Sequence, residues 1–325
     1  MAERKKQKSL VIAVDLGGTK ILAALVSRDG RIVARERRLT GAEGGPRVVI
    51  DRLCGAIDAL LEREKIDISQ LQGISVSAAG GIDDKKGVVT KSPNLPGWHD
   101  IPLRDMVKER YNLTTFLIND ASAAALGEHR FGVARDARNF VLLTIGTGIG
   151  GGIVIDGKLY HGAVGSAGEL GHMTIDVNGP VCKCGNIGCL EVLASGTAMA
   201  EEARRRIKQG EPSILADLVG GNIDTISGKE VGDAAEKGDA LALDVIRHAA
   251  TYLGIGMVNL VNIFNPEMIV VGGGVSSLGE LLLAPARRLV QERAFPVSAR
   301  AVKIVLAKLG NEAGILGAAA YAFEH

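Results

Sequence analysis

A chain of 325 residues that is 46% hydrophobic and 23% charged is long enough to bury a large core, as one domain or as two lobes. Its 38 Lys and Arg nearly cancel its 37 Asp and Glu, and the net charge of +1 argues against a surface built to coat nucleic acid or membrane. Aromatic residues are scarce (3%) and glycines abundant (43), so many tight turns or close backbone approaches to a ligand are expected.

The chain opens on a basic tip, residues 1–9, with Arg4, Lys5, Lys6 and Lys8. The apolar run at 10–14 stops at Asp15, far short of a signal-peptide core, so the tip reads as a solvated tail. Residues 10–14, the glycine tip Asp15-Leu16-Gly17-Gly18-Thr19-Lys20, a second strand at 21–26, the hairpin signal Asp29-Gly30 and a third strand at 31–34 together predict an antiparallel meander. The same order returns about 128 positions later: a strand at 140–145, the tip Gly146-Thr147-Gly148-Ile149-Gly150, a strand at 151–155, the turn Asp156-Gly157 and a strand at 158–160. Two similar lobes, each opening on a meander, are expected.

Between the meanders the pattern predicts a helix at 48–64, a strand at 73–77, a Gly- and Pro-rich loop at 78–102, a helix at 103–111 and a strand at 115–118. After the second meander come a loop-dense stretch at 161–195 and helices at 197–209, 229–237 and 239–262. A strand at 268–271, a helix from about 278, a strand at 302–306 and an Ala-rich helix from 313 complete the chain. This mixture reads as α/β. The longest late apolar stretch, 252–264, is interrupted by Asn259 and Asn262 and is too short to span a bilayer. A cytoplasmic protein with no membrane partner is expected.

Of the four cysteines, Cys54 falls in the amphipathic pattern of 48–61 and is expected as a small core residue. Cys182, Cys184 and Cys189 lie within eight residues, a spacing suited to metal rather than to a disulfide framework. With His172 they offer three thiolates and one imidazole, which complete a tetrahedral zinc site with no open position, the structural type. Glu169 and Glu191 flank the outermost ligands. They are either ordinary solvated charges or carboxylates held in place to grip hydroxyl groups.

Each glycine tip is either a plain hairpin or a turn whose N–H groups converge on phosphate oxygens. In the first, Thr19 adds a hydroxyl, Lys20 a cation, and Asp15 a carboxylate able to hold hydrated Mg²⁺. Residues 146–151 also fit the spacing of a dinucleotide fingerprint, but that motif must open a helix and here the chain continues as a strand. Asn119-Asp120 ends an apolar strand and enters an Ala-rich helix. Ordinary capping explains it, as does a general base, Asp120, with Asn119 fixing a neighbouring hydroxyl. Gly272-Gly273-Gly274 follows a strand and suits a nucleotide approaching the backbone. The loop from Ser92 to Trp98 either packs down through its only Trp or extends Asn94 into a site.

With these residues assembled, the sequence resembles the ROK family of bacterial sugar kinases and repressors, and within it the glucokinase branch. The resemblance runs from Asp-Leu-Gly-Gly-Thr-Lys at 15–20 to Glu-Ala-Gly-Ile-Leu-Gly-Ala-Ala from 312, and is most specific in Gly-Glu-Leu-Gly-His at 168–172 with Cys-x-Cys-Gly-x-x-Gly-Cys-Leu-Glu at 182–191. It implies the two-lobed, actin-like ATPase fold on ribonuclease-H-like sheets, with nucleotide and sugar between the lobes: a smaller lobe of 1–118 plus 309–325, and a larger one of 119–308 containing the zinc-binding segment 168–191. It further implies phosphate loops at 15–20 and 145–151 (Asp15, Gly17, Gly18, Thr19, Lys20; Gly146, Thr147, Gly148, Gly150) and an adenosine loop at Gly272, Gly273 and Gly274. Asp120 matches the catalytic base, and Asn94, Asn119, Glu169, His172 and Glu191 match sugar contacts, with backbone contacts at Gly80 and Gly81. His172, Cys182, Cys184 and Cys189 match the zinc ligands. The implied activity is MgATP-dependent phosphorylation of glucose at its 6-hydroxyl by a homodimer or homotetramer, with polyphosphate as a conceivable donor. Alternatives are another hexose, an N-acetylhexosamine such as N-acetylmannosamine, or a sugar-responsive repressor. A repressor needs a helix-turn-helix module ahead of the kinase-like part, for which nine residues are too few.

Overall fold

The structure is a computed structural model that describes residues 9–92 and 94–325; the expected basic tail lies outside them, apart from Ser9. The first meander forms as read, from β1 (Leu10–Leu16), β2 (Lys20–Ser27) and β3 (Ile32–Leu39), all antiparallel. β1 is buried along nearly its whole length, whereas β3 alternates half-buried with exposed positions. β3 runs five residues beyond the expected end at 34, through Arg35-Glu36-Arg37-Arg38. It is an edge strand, where charged side chains are tolerated and discourage pairing with another chain.

Helix α1 (Gly45–Glu64) follows and buries Val49, Leu53, Cys54, Ala56, Ile57 and Leu60, one stripe at helical spacing. Cys54 is a core residue, as expected. Strand β4 (Leu71–Ala78) pairs parallel with β1. The stretch 78–102, expected as loop, carries a small antiparallel sheet of β5 (Gly81–Asp83), β6 (Val88–Lys91) and β7 (His99–Ile101). Strands of three and four residues are too short to show a period against Gly and Pro. Helix α2 (Leu103–Tyr111), strand β8 (Thr115–Asn119) and helix α3 (Asp120–Arg130) come next, and the first large sheet has the order β3-β2-β1-β4-β8.

The second meander comprises β9 (Phe140–Ile145), β10 (Ile149–Ile155) and β11 (Lys158–Leu159). After it lie α4 (Leu190–Ala194), α5 (Gly196–Lys208), α6 (Leu215–Leu218), α7 (Gly228–Glu236) and α8 (Ala240–Phe264). Strand β12 (Met268–Gly272), helices α9 (Glu280–Arg293) and α10 (Pro296–Ala301), strand β13 (Lys303–Leu306) and helix α11 (Ala313–Glu324) finish the chain. The second large sheet has the order β11-β10-β9-β12-β13. Third, second, first, fourth, fifth: the strand order of the first sheet is repeated, so the internal repeat is one of topology. Helix α8 is long and apolar enough to cross a membrane, yet Leu253, Met257, Leu260 and Val261 are fully buried in the second core.

Two compact units result. One comprises residues 9–136, 159–168 and 311–325, and the other 137–158 and 169–310. The boundary read from the sequence at 118/119 therefore moves to 136/137, and α3 groups with the first unit. The reason is its packing on α11: a Cβ on Gly317 would lie 1.6 Å from Ala123 O, and one on Gly127 would lie 2.3 Å from Ala313 O. Only glycine permits so close an approach of two helices.

Candidate functional site

In the first unit the tip at 17–20 is a tight turn, closed by Gly17 N–H donating to Lys20 O at 3.0 Å, with Thr40 Oγ1 donating to Gly17 O at 2.7 Å. Thr19 and Lys20 are exposed. Asp15, on β1 just before the turn, is hydrogen-bonded by Ser77 Oγ at 3.2 Å; burial pushes its carboxyl above the usual range while the Ser77 bond pulls the other way. A desolvated carboxylate beside a glycine turn fits a cation such as Mg²⁺ carried in with a nucleotide. Gly18 brings Asn94 to the same turn, since a Cβ on Gly18 would stand 2.7 Å from Asn94 O. Trp98 is 1% exposed, so the loop packs down through its ring while Asn94 stays exposed.

Asn119 and Asp120 serve the capping reading in part. Asn119 Oδ1 accepts from Ala121 N–H and Ser122 N–H at 3.0 and 3.1 Å, and its Nδ2 donates to Gly80 O at 3.1 Å. Gly80 (φ +110°) holds a conformation that other residues avoid, with Lys91 O where a Cβ would be. Gly81 O accepts from Thr90 Oγ1 at 3.0 Å. The Asp120 carboxylate is half-buried in the first turn of α3, one oxygen accepting from Ala121 N–H at 2.8 Å, where the helix N-terminus favours negative charge. Asn119 thus fixes the strand end from which Asp120 projects.

The second unit holds the metal set. The four donor atoms of His172, Cys182, Cys184 and Cys189 lie within 4.8 Å of one another. Zn–S and Zn–N bonds of about 2.3 and about 2.0 Å at tetrahedral angles require S···S near about 3.8 Å and N···S near about 3.5 Å. The structure has Cys184 Sγ to Cys189 Sγ at 3.7 Å and His172 Nδ1 to Cys182 Sγ at 3.6 Å. The residues fit zinc. Burial, with the neighbouring Cys184 and Cys182 adding to it, pushes Cys189 up to about 12, and burial raises Cys182, whereas the Asn186 N–H lowers Cys184. A cation is what stabilises all three as thiolates. Gly188 (φ +63°) makes the turn between ligands, a Cβ there meeting Asp176 O at 1.6 Å.

His172 Nε2 faces Glu169 Oε2 at 3.9 Å, so the imidazole turns one nitrogen toward Cys182 and the other toward a carboxylate. Burial pushes the Glu169 carboxyl up, and Glu191 adds to this while His172 opposes it. Glu191 Oε2 accepts from Ile149 N–H at 2.9 Å, and a Cβ on Gly148 would meet that oxygen at 2.3 Å. The segment that bears the His172 and cysteine set is in this way tied to the second glycine tip.

That tip leads into a cavity of about 670 Å³ lined by Gly146, Thr147 and Gly274, three residues named from the sequence. Gly148, Gly272 and Gly273 do not line it; Gly272 packs on Ala307, and Gly273 (φ +84°) on Ile145. Gly150 lies within β10. Sequence reading missed the opposite wall: the N-termini of α5 (Gly196, Thr197) and of α7 (Gly228, Lys229), with Asp233 and Glu236 farther along α7. The signal was present in two Ser-Gly openings, with Ser195 and Ser227 each capping its helix. Two helix N-termini beside a glycine turn suit a polyanion, and about 670 Å³ suits a nucleotide-sized ligand.

Residues 11–325 match the family model described as ROK family. A glucokinase of Thermotoga maritima is 39% identical over 312 residues, 96% of this chain and 96% of that protein. A xylose repressor of Caldicellulosiruptor bescii is 35% identical, with 96% of this chain and 77% of the repressor aligned. A crystal structure of a ROK family glucokinase from Streptomyces griseus in complex with glucose and AMPPNP superposes with a TM-score of 0.85 at 38% identity, covering 97% of this chain and 100% of that one.

Proposed function

Because the chain belongs to the ROK family and has its two-lobed, actin-like fold, we propose that it is an ATP-dependent hexokinase-type kinase that phosphorylates glucose at the 6-hydroxyl. The observation that carries this reading is the bond from Ile149 N–H to Glu191 at 2.9 Å. It holds the Glu191 carboxylate, with Glu169 near it, against the glycine tip that opens into the cavity, which supports a role for both in gripping hydroxyls. Acceptors for a polyol and donors for phosphates then adjoin in one unit. Asp120 takes the proton of the attacking hydroxyl, and Asn94, Asn119, Glu169, His172 and Glu191 bind the sugar. Gly146, Thr147 and Gly274 receive the nucleotide, with Gly17, Gly18, Thr19 and Lys20 on its terminal phosphates.

Mg²⁺ arriving with ATP would neutralise developing charge on the γ-phosphoryl, with Asp15 as its carboxylate partner. Zinc would hold 172–189 in shape and so fix Glu169 and Glu191. In a loose transition state positioning and electrostatics dominate, and the base contributes second. The test is a coupled ADP-release assay over a panel of hexoses and N-acetylhexosamines, run with the wild type and Asp120→Asn. Glucose is expected as the best substrate, and Asp120→Asn lowers kcat by about 10²–10⁴ with little change in glucose Kd. Activity of the variant within about threefold of wild type removes Asp120 from that role. We place the enzyme in the cytoplasm, as a homodimer or homotetramer, a state that light scattering checks.

A further inference from the structure

A cluster in the first unit is left unused by this reading. It joins the turn between β5 and β6, the segment 159–168 and α11. His161 Nδ1 lies 2.8 Å from Asp84 Oδ2, with the two side chains 32% and 16% exposed. The other carboxylate oxygen, Asp84 Oδ1, is buried with no hydrogen-bond partner and is roofed by Gly165 (φ +83°), whose absent Cβ would stand 2.2 Å from it. Lys85 Nζ donates to Ala163 O at 2.9 Å. The turn that makes these contacts is itself braced. Arg104 donates to Lys85 O and Lys86 O at 3.0 and 2.9 Å, and Lys86 N–H donates to Asp83 Oδ1 at 3.0 Å.

From α11 the Tyr321 ring lies 6.0 Å from the imidazole, its hydroxyl raised chiefly by burial and so uncharged near neutral pH. The charged group paired with His161 is Asp84, while Lys85, next in sequence, turns its ammonium to Ala163 O. Ala167 N–H donates to His161 O at 3.2 Å, so the segment closes on itself at His161. Glu169 follows Ala167 by two residues.

We propose that Asp84 and His161 are positioning residues for the sugar: the pair clamps the neck of 161–167 on a braced turn and so sets how the chain presents Glu169. The proposal rests on the kinase reading above. A hydrogen bond to a carboxylate is about twice as strong as a neutral one, and the Asp84 carboxylate, already short of partners on one side, loses its imidazole partner if His161 is truncated. The freed segment must then be ordered each time sugar binds, which weakens sugar binding selectively. Neither glycine tip lies on this segment, so nucleotide binding and the chemical step are spared.

Steady-state kinetics and calorimetric glucose Kd on the full chain test this. His161→Ala raises glucose KM and Kd by about five- to tenfold, with kcat and KM for ATP within about twofold of wild type. His161→Asn, which keeps a donor at the Nδ1 position, recovers most of the loss, a rescue that a purely structural role would not require. Asp84→Asn behaves like His161→Ala, and the two are not additive. Unchanged glucose Kd in His161→Ala, an equal rise in KM for ATP, or no recovery by Asn overturns the clamp. A wild type that binds glucose without transferring phosphate overturns the kinase reading alone.

Discussion

Asn119 and Asp15, both proposed for the site, bear on the fold in contrary ways. Asn119 spends its oxygen on two helix N–H groups and one amide hydrogen on Gly80 O, so capping and site-building are one act. Asp15 is the opposite case, a carboxyl whose burial disfavours its charge. A carboxyl raised in the folded state binds its proton more tightly there than in the unfolded chain. Stability therefore falls as pH rises through the unfolded and then the folded value, and the loss is complete above the latter. Without nucleotide, Asp15→Asn is expected to raise Tm at pH 8. The gain shrinks as pH approaches about 4, where the wild-type carboxyl is protonated as well. Calorimetry at both pH values checks this, and phosphoryl transfer should fall in the same variant. A lower Tm at pH 8 would mean that the carboxylate has a cationic partner.

At the scale of elements, the segment bearing His172, Cys182, Cys184 and Cys189 links two parts of the candidate site. Its last cysteine, Cys189, sits at the N-cap position of α4, whose first turn contains Glu191, and Glu191 reaches back to β10 at Ile149. Cys184 is the exposed ligand, so its removal leaves no cavity in a core. Cys184→Ala is expected to lose zinc and to raise glucose KM by about tenfold or more together, because metal binding is coupled to local folding. Chelation of the wild type reproduces both effects. Retained zinc by elemental analysis, or zinc loss with an unaltered KM, would sever the brace from the sugar. The α3–α11 pair is a second such element. Its backbones meet through Gly127 and Gly317, and this contact carries the Asp120-bearing helix into the first unit.

At the scale of the whole molecule, ligand binding and stability are linked. Glucose at about a hundredfold above its Kd stabilises the folded protein by about 2.7 kcal/mol. Each kcal/mol shifts Tm by about 2–4 °C or somewhat less in a chain of this size. A thermal scan should show that rise with glucose and none with a hexose that does not bind. By itself the sequence determined the two meanders, their Asp-Gly turns and the set His172, Cys182, Cys184 and Cys189, because turn chemistry, strand period and ligand spacing are written within a few residues. Tertiary structure decided the rest. The cavity wall from α5 and α7, the α3–α11 packing and the Asp84–His161 pair join residues tens to hundreds of positions apart. Local periodicity marks which face of an element is buried but holds no record of which distant surface covers it.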